Sequence, residues 1–339
     1  MGEAGIPDQE GVILMDYLEL HRSCILFDGH CDTLLSVVED HRSLLERSSR
    51  GHADLPRLRE GGVTAQVFAL FARPNALGGA PQTWEALRLL DAFYKALDAC
   101  ADLIPATKAA HVHQAKAEGK LAGIIGLEGA EALRGDVGVL RILHRLGLRN
   151  LGLTWNLRNE AADGVSEERT GGGLTEFGVQ LVREANRLGI MLDVAHLAPA
   201  GLREVLAESE APVVSSHANA RALCDHPRNL TDEQLEAIAA KGGVVGVTFV
   251  PIFVAAARER QSLATLLDHV DHMVRIMGAE HVGLGSDFDG YDIGELEGMP
   301  DATALPAITA GLLKRGYSPE AIRGILGENW LRVFSRVAG

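Results

Sequence analysis

Cysteine is scarce and scattered in this chain. The four, Cys24, Cys31, Cys100 and Cys224, include no Cys-x-x-Cys pair. A disulfide framework is therefore not expected, and free thiols in a reducing cytoplasm are. Positive charge is also short: 32 Lys and Arg stand against 46 Asp and Glu, a net charge of −14. That argues against nucleic acid as a partner, because binding a phosphate backbone needs a basic face. No apolar run approaches the ~20 residues of a membrane span, so no membrane association is expected. Residues 1–10 are polar and acidic, without a basic stretch ahead of an apolar one, so no secretory signal is expected either. Neither G-x-G-x-x-G nor G-x-x-x-x-G-K-[ST] occurs, and an open doubly wound sheet usually carries such a turn after its first strand. Low-complexity segments and linkers are missing as well. The expected organisation is one domain over 1–339, with 1–13 as a flexible tail.

What the sequence does have is length and a repeating pattern. With 339 residues, 47% of them apolar, it can build two average domains or one large α/β barrel. Eight short apolar runs read as strands: 24–29, 63–70, 121–127, 150–154, 190–194, 212–216, 244–250 and 281–284. They are apolar on both faces, as parallel strands are. Helical patterns lie at 14–22 and between the strands, at 82–101, 107–118, 137–146, 175–188, 199–208, 231–240 and 262–277. Pro81, Thr175 and Thr231 supply start signals, and Gly189 and Gly242 stop signals. Helices at 302–315 and 318–325 and a last turn at 328–337 finish the chain. Eight βα units in one chain of this size predict a (β/α)8 barrel.

The strand ends carry the chemistry. Ile25-Leu26-Phe27-Asp28-Gly29 runs into His30-Cys31-Asp32, and side chains two apart on a strand share a side. Glu128 follows 121–127, His196 follows 190–194, His217 follows 212–216, and Asp287 follows 281–284. A barrel builds its active site at these C-terminal ends. One His-x-Asp pair reads equally well as a core histidine and a cap. Five strand ends offering imidazole or carboxylate to one mouth are hard to explain structurally, since unpaired polar groups there are costly. Three histidines and three carboxylates exceed one tetrahedral zinc. They suit two metals, which at a separation of ~3.5–4 Å can hold a hydroxide between them and polarise a carbonyl. Hydrolysis of an amide or ester is the reaction class implied.

Several stretches carry a resemblance. They are Asp28-Gly29-His30-Cys31-Asp32, Gly126-Leu127-Glu128-Gly129, Leu174-Thr175-Glu176-Phe177-Gly178, Asp193-Val194-Ala195-His196 and Ser216-His217 through Cys224. Pro227-Arg228-Asn229-Leu230, Gly285-Ser286-Asp287-Phe288-Asp289-Gly290 and the late Gly327-Glu328-Asn329-Trp330-Leu331-Arg332-Val333-Phe334 complete the set. From about residue 24 to 335 the chain resembles the membrane (renal) dipeptidase family, peptidase family M19 of the amidohydrolase superfamily. The resemblance implies a dipeptidase with two zinc ions per chain. His30 and Asp32 would bind the first zinc, His196 and His217 the second, and Glu128 both. Asp287 would move a proton from the attacking water to the leaving amine, and Arg228 would hold the substrate's C-terminal carboxylate. A D-residue would be tolerated at that position. The expected partner is a small peptide substrate, with a homodimer left open as the assembly. Mammalian members are membrane-anchored; this chain lacks their signal and anchor sequences, and a cytoplasmic form is expected.

One departure from the family stands out. Where mammalian-type members place a substrate-contacting histidine, Leu153-Thr154 is followed here by Trp155-Asn156. Trp can donate one indole N–H but carries no imidazolium charge. Trp155 and Asn156, or Asn159, are therefore the candidate substrate contacts. The departure leaves open another amidohydrolase activity on N-acyl amino acids or lactones, and beyond that a metal-binding barrel without catalysis. Other candidates read as structural: His111 and His113 as a solvated helix face, Asp268, His269, Asp271 and His272 as a charged surface stripe, Asp163 as a turn residue, and Asp289 as a support or loop cap. Cys31 should point away from its two neighbours, and Arg221 as a lone surface arginine forms a salt bridge by default.

Overall fold

The structure is a computed structural model, and it describes residues 17–73 and 82–339. The tail expected at 1–13 and the helix-opening Pro81 lie outside the described residues. Among the described residues nine strands form, all paired in parallel: β1 (Leu26–Cys31), β2 (Val63–Phe71), β3 (Leu103–Pro105), β4 (Leu121–Glu128), β5 (Leu148–Gly152), β6 (Met191–Asp193), β7 (Val213–Val214), β8 (Val245–Val247) and β9 (Val282–Leu284). Eight of them run in the order β7-β6-β5-β4-β2-β1-β9-β8, and a bridge between Ser215 and Val245 joins the two ends. The result is the expected (β/α)8 barrel, nearly closed. The ninth, β3, was not anticipated. It pairs with Leu121–Gly123 at the start of β4, and β5 takes over the same edge from Ile125. Three residues between two helical patterns carry too little alternation to read as a strand.

The period of two along each strand sorts its side chains between two cores. Leu26, Phe68, Ile125, Leu192 and Val213 face outward and pack under the ring of helices. Their neighbours Phe27, Val67, Ile124, Met191 and Val214 face inward and fill the barrel. The helix Asn329–Ala338, read from sequence only as a last turn, completes that inner core with Trp330 and Phe334. The Trp330 ring stacks 5.7 Å from Phe27, and its indole N–H donates to the Leu284 carbonyl at 2.9 Å. Gly29 makes room for it: a Cβ there would lie 2.5 Å from the Trp330 ring.

Cap chemistry explains why several helix starts fall where the sequence places them. Thr231 and Gln234 form a reciprocal capping box ahead of Asp232–Ala240. The Thr175 hydroxyl accepts from the Gly178 N–H, and that of Ser262 from the Thr265 N–H. Gly189, at φ 71°, ends Glu176–Leu188 in the left-handed conformation that glycine adopts without strain.

Candidate metal centre

Six side chains converge at the C-terminal end of the barrel. His30 is in β1, Asp32 follows it, and Glu128 ends β4. His196, His217 and Asp287 each stand three residues past their strand, β6, β7 and β9. His196 and Asp287 sit in the left-handed region, at φ 67° and 62°. That conformation costs a residue with a Cβ roughly 1–2 kcal/mol, and such strain clusters at functional sites. Two buried carboxylates that are not part of the convergence hold the strand ends in place. Asp28 accepts from the Ser286 N–H at 2.7 Å and its hydroxyl at 2.6 Å, tying β1 to the segment after β9. Asp193 accepts from the Ala195 and Ser216 N–H groups and from the Asn150 amide, tying β5, β6 and β7.

Glu128 lies between two groups of donors. Its Oε2 is 3.5 Å from His30 Nε2, which lies 3.3 Å from Asp32 Oδ2. Its Oε1 is 2.9 Å from His196 Nε2 and 3.9 Å from His217 Nε2. Three overlapping sets, His30–Asp32–Glu128, Glu128–His196–His217 and His30–His217–Asp287, each bring donor atoms within 4.8 Å of one another. All six residues are buried.

The second nitrogens of His196 and His217 are held as well. His196 Nδ1 lies 2.7 Å from Asn156 Oδ1, an acceptor, so the proton sits on Nδ1 and Nε2 offers a lone pair to the centre. His217 Nδ1 pairs with the Ser216 hydroxyl at 2.7 Å. Burial lowers the pKa of both rings, His196 to about 4 and His217 well below its usual value, so both are neutral at pH 7. Burial alone would raise Glu128, but His30 and His196 reverse it and hold the carboxyl well below its usual range. Against burial, Glu128 and Asp32 hold the His30 ring well above its usual value, so a cation would displace its proton on binding, while the other two imidazoles are already in the neutral form that binds metal.

The donor set fits divalent cations. Nitrogen and carboxylate oxygen suit zinc. Asp32 Oδ1 is buried with no hydrogen-bond partner, and the His196 and His217 Nε2 atoms face each other at 2.8 Å. Each is a costly arrangement for a lone pair that a cation between them would satisfy.

The expected substrate contacts surround this centre. Arg228 is buried, its Nη2 donates to the His217 carbonyl at 3.0 Å, and its Nε has no partner. Burial lowers its pKa to about 10, against the pull of Asp287 and Glu128. Trp155 lies 6.0 Å from the His196 ring and 5.6 Å from Phe71. It lines a cavity of about 680 Å³ whose inner end reaches Asp32, Glu128 and Asp287. Asn156 orients His196 rather than facing that cavity. Asn159 is engaged within its own loop, accepting from Ala161 and Ala162 N–H and donating to the Leu153 carbonyl.

The remaining candidates settle away from the centre. Cys31 packs in the outer core. His111 accepts from the Thr107 N–H at its helix start. Asp268 and Asp271 pair with Arg315 on the surface, but His269 departs from the charged stripe read there. It is fully buried, between the Ala220 N–H and the Val254 carbonyl. Asp163 pairs with Arg158 and Thr170 to brace the long loop. Asp289 takes Thr33, the His52 N–H and Arg42 and fixes the loop after β9, while Arg221 forms an ion pair with Asp225 at 2.9 Å. Ser216 and Asn156 as partners of the histidines were not legible, since nothing local distinguishes a serine or asparagine that touches a ligand.

The chain also matches known proteins. Residues 15–339 match the family described as membrane dipeptidase, peptidase family M19. A dipeptidase of Aspergillus oryzae, aclJ, is 33% identical over 329 residues, covering 92% of this chain and 78% of that protein. The crystal structure of a metallo peptidase from Rhodobacter sphaeroides, liganded with a phosphinate mimic of the dipeptide L-Ala-D-Ala, superposes with a TM-score of 0.85 at 34% identity, over 93% of this chain and 99% of that one. The structure of dipeptidase AC, a metallo peptidase of family M19, gives a TM-score of 0.85 at 35% identity, over 94% and 99%. With its barrel, its strand-end donors and these relatives, the chain belongs to the membrane dipeptidase family, peptidase family M19, and is a metal-dependent dipeptidase.

Proposed function

We propose that the chain cleaves dipeptides at two zinc ions bridged by Glu128. The observation that carries this reading is the division of Glu128: one carboxylate oxygen faces His30, beside Asp32, and the other faces His196 and His217. His30 and Asp32 would hold one zinc, His196 and His217 the other, and Glu128 one with each oxygen. When bound, the ions supply Lewis acidity toward the scissile carbonyl and make a water acidic enough to attack at neutral pH. Asp287 accepts the proton of the attacking water and returns it to the leaving amine. Its carboxyl is buried and lies 3.9 Å from His30 Nε2, inside the donor cluster where that water would sit. Arg228 binds the substrate's carboxylate through a guanidinium already fixed on the His217 carbonyl. The L-Ala-D-Ala mimic on the Rhodobacter sphaeroides relative supports a dipeptide substrate, including one with a D-residue at its C-terminal position. Four cysteines without a disulfide suit a reducing, cytoplasmic setting.

The test is kcat/KM of zinc-loaded protein on L,L and L,D dipeptides and on the C-terminal amide of one of them, with wild type and Arg228→Met. Charge-assisted hydrogen bonds are each worth roughly 1.5–3 kcal/mol. A net loss of about 2–4 kcal/mol in transition-state stabilisation should lower kcat/KM on the dipeptide by roughly 30- to 1000-fold. The amide should be a poor substrate for both proteins. Equal wild-type activity on dipeptide and amide would move the reading to a general amide or lactone hydrolase.

A further inference from the structure

The cavity of about 680 Å³ has a division of its own. Its inner end is acidic, formed by Asp32, Glu128 and Asp287, while carbon lines the walls next to them, from Leu35, Phe71, Trp155 and the Tyr291 ring. Each of these four is only half-buried and contributes to the lining. Trp155 and Phe71 tilt against each other at 46°, and Trp155 also reaches the His196 ring, so this wall begins beside the metal-ligand cluster.

We propose that this cavity receives the side chain of the dipeptide's N-terminal residue, and that Phe71 and Trp155 select a large apolar one. The inference rests on the dipeptidase reading above, with Arg228 as the carboxylate anchor. Arg228, His196 and His217 do not line the cavity, whereas Asp32, Glu128 and Asp287 do. A dipeptide with its carboxylate on Arg228 and its scissile carbonyl over Glu128 therefore runs from the His217 side toward Asp32. Its N-terminal residue arrives at the carbon wall. An alanine methyl there would leave most of the wall in contact with water, while an aromatic or branched side chain would remove it from water.

Two of the arginines that line the cavity are already paired. Arg42 is paired with Asp289, and Arg73 with Glu39. Further out, Arg50, Asp40, Asp292 and Glu295 give the rim both signs. An ion moved against the aromatic wall would lose hydration.

The experiment uses two dipeptide series on the zinc-loaded enzyme, X-Ala and Ala-X, with X as Ala, Leu, Phe, Asp or Lys. Phe-Ala and Leu-Ala should exceed Ala-Ala in kcat/KM by at least about tenfold, as discrimination in an apolar pocket allows. Asp-Ala and Lys-Ala should do no better than Ala-Ala. Trp155→Ala and Phe71→Ala, each taken separately in case one fails to fold, should lower the Phe-Ala to Ala-Ala ratio by about tenfold. Trp155→Phe should keep most of it. A flat X-Ala series, a preference for Asp or Lys, or a ratio unchanged in both alanine variants overturns the proposal. A preference for bulk only in the Ala-X series overturns the orientation and the proposal with it. If neither series is cleaved at all, the dipeptidase reading itself fails.

Discussion

Asp287 occupies a left-handed backbone position at the end of β9 that turns its carboxyl toward His30, 3.9 Å away. The proposed role is proton transfer rather than anchorage of metal. Asp287→Asn should therefore keep its metal content while kcat falls by ~10²–10⁴-fold. Metal analysis beside steady-state kinetics checks this, and near-normal kcat in the variant would refute it. Asn156 makes a separable contribution. Partners of metal-bound histidines typically matter by roughly 10–100-fold in affinity or activity. Asn156→Leu should weaken zinc binding by about that factor in chelator competition, and Asn156→Asp, which still accepts a hydrogen bond, should weaken it less. Glu131 offers a residue-scale test of stability. Its carboxyl is buried beside the Trp155 N–H and the Asn159 amide, yet neither oxygen reaches hydrogen-bond geometry. Burial raises its pKa to about 7 from an ordinary value of 4.5. The folded protein thus keeps this proton where the unfolded chain has released it. Stability from this group is present below pH 4.5 and is lost as pH rises through 7. Glu131→Gln should flatten that fall and stabilise the protein at pH 8 by about 1–3 kcal/mol. Denaturant unfolding at several pH values reads it, and an unchanged pH profile would refute it.

At the scale of elements, the helix Asn329–Ala338 has a larger part than its place at the chain's end suggests. Trp330 closes the barrel interior under β1 and β9, and the strand-end geometry above depends on that packing. Trp330→Ala should cost ~3–5 kcal/mol. Gly29→Ala, which drives a methyl into the same ring, should also destabilise, by roughly 1–3 kcal/mol for an overpacked core. Thermal melts of both variants measure this, and a Trp330→Ala melt equal to wild type would contradict it. The helix was legible as a short C-terminal segment, but its position inside the barrel was not, because an amphipathic pattern does not name the surface it will meet. The same limit explains His269. Neighbours on a helix point about 100° apart, so Asp268 can reach Arg315 in solvent while His269 turns inward. By contrast, the capping box at Thr231 and the glycine stop at Gly189 were legible because both are local chemistry.

For the molecule as a whole, the barrel and its centre follow from one regularity. Apolar strands end in His, Asp or Glu, and parallel strands in a barrel bring those ends to one mouth. His30, Asp32, Glu128, His196, His217 and Asp287 were visible for that reason, even though they are spread from residue 30 to 287. Asn156, Ser216, Asp28 and Asp193, which orient or brace them, act across the fold through single hydrogen bonds, and no spacing in the sequence announces such a bond. The central claim is that Glu128 joins two metal ions in one catalytic unit. Elemental analysis of zinc-loaded, exhaustively dialysed wild type and Glu128→Ala tests it most directly, with circular dichroism to confirm that both are folded. Two zinc ions per chain in wild type, and loss of tight binding at both sites in Glu128→Ala, is the predicted result. A single zinc in wild type, or two tightly held ions in the variant, would contradict it.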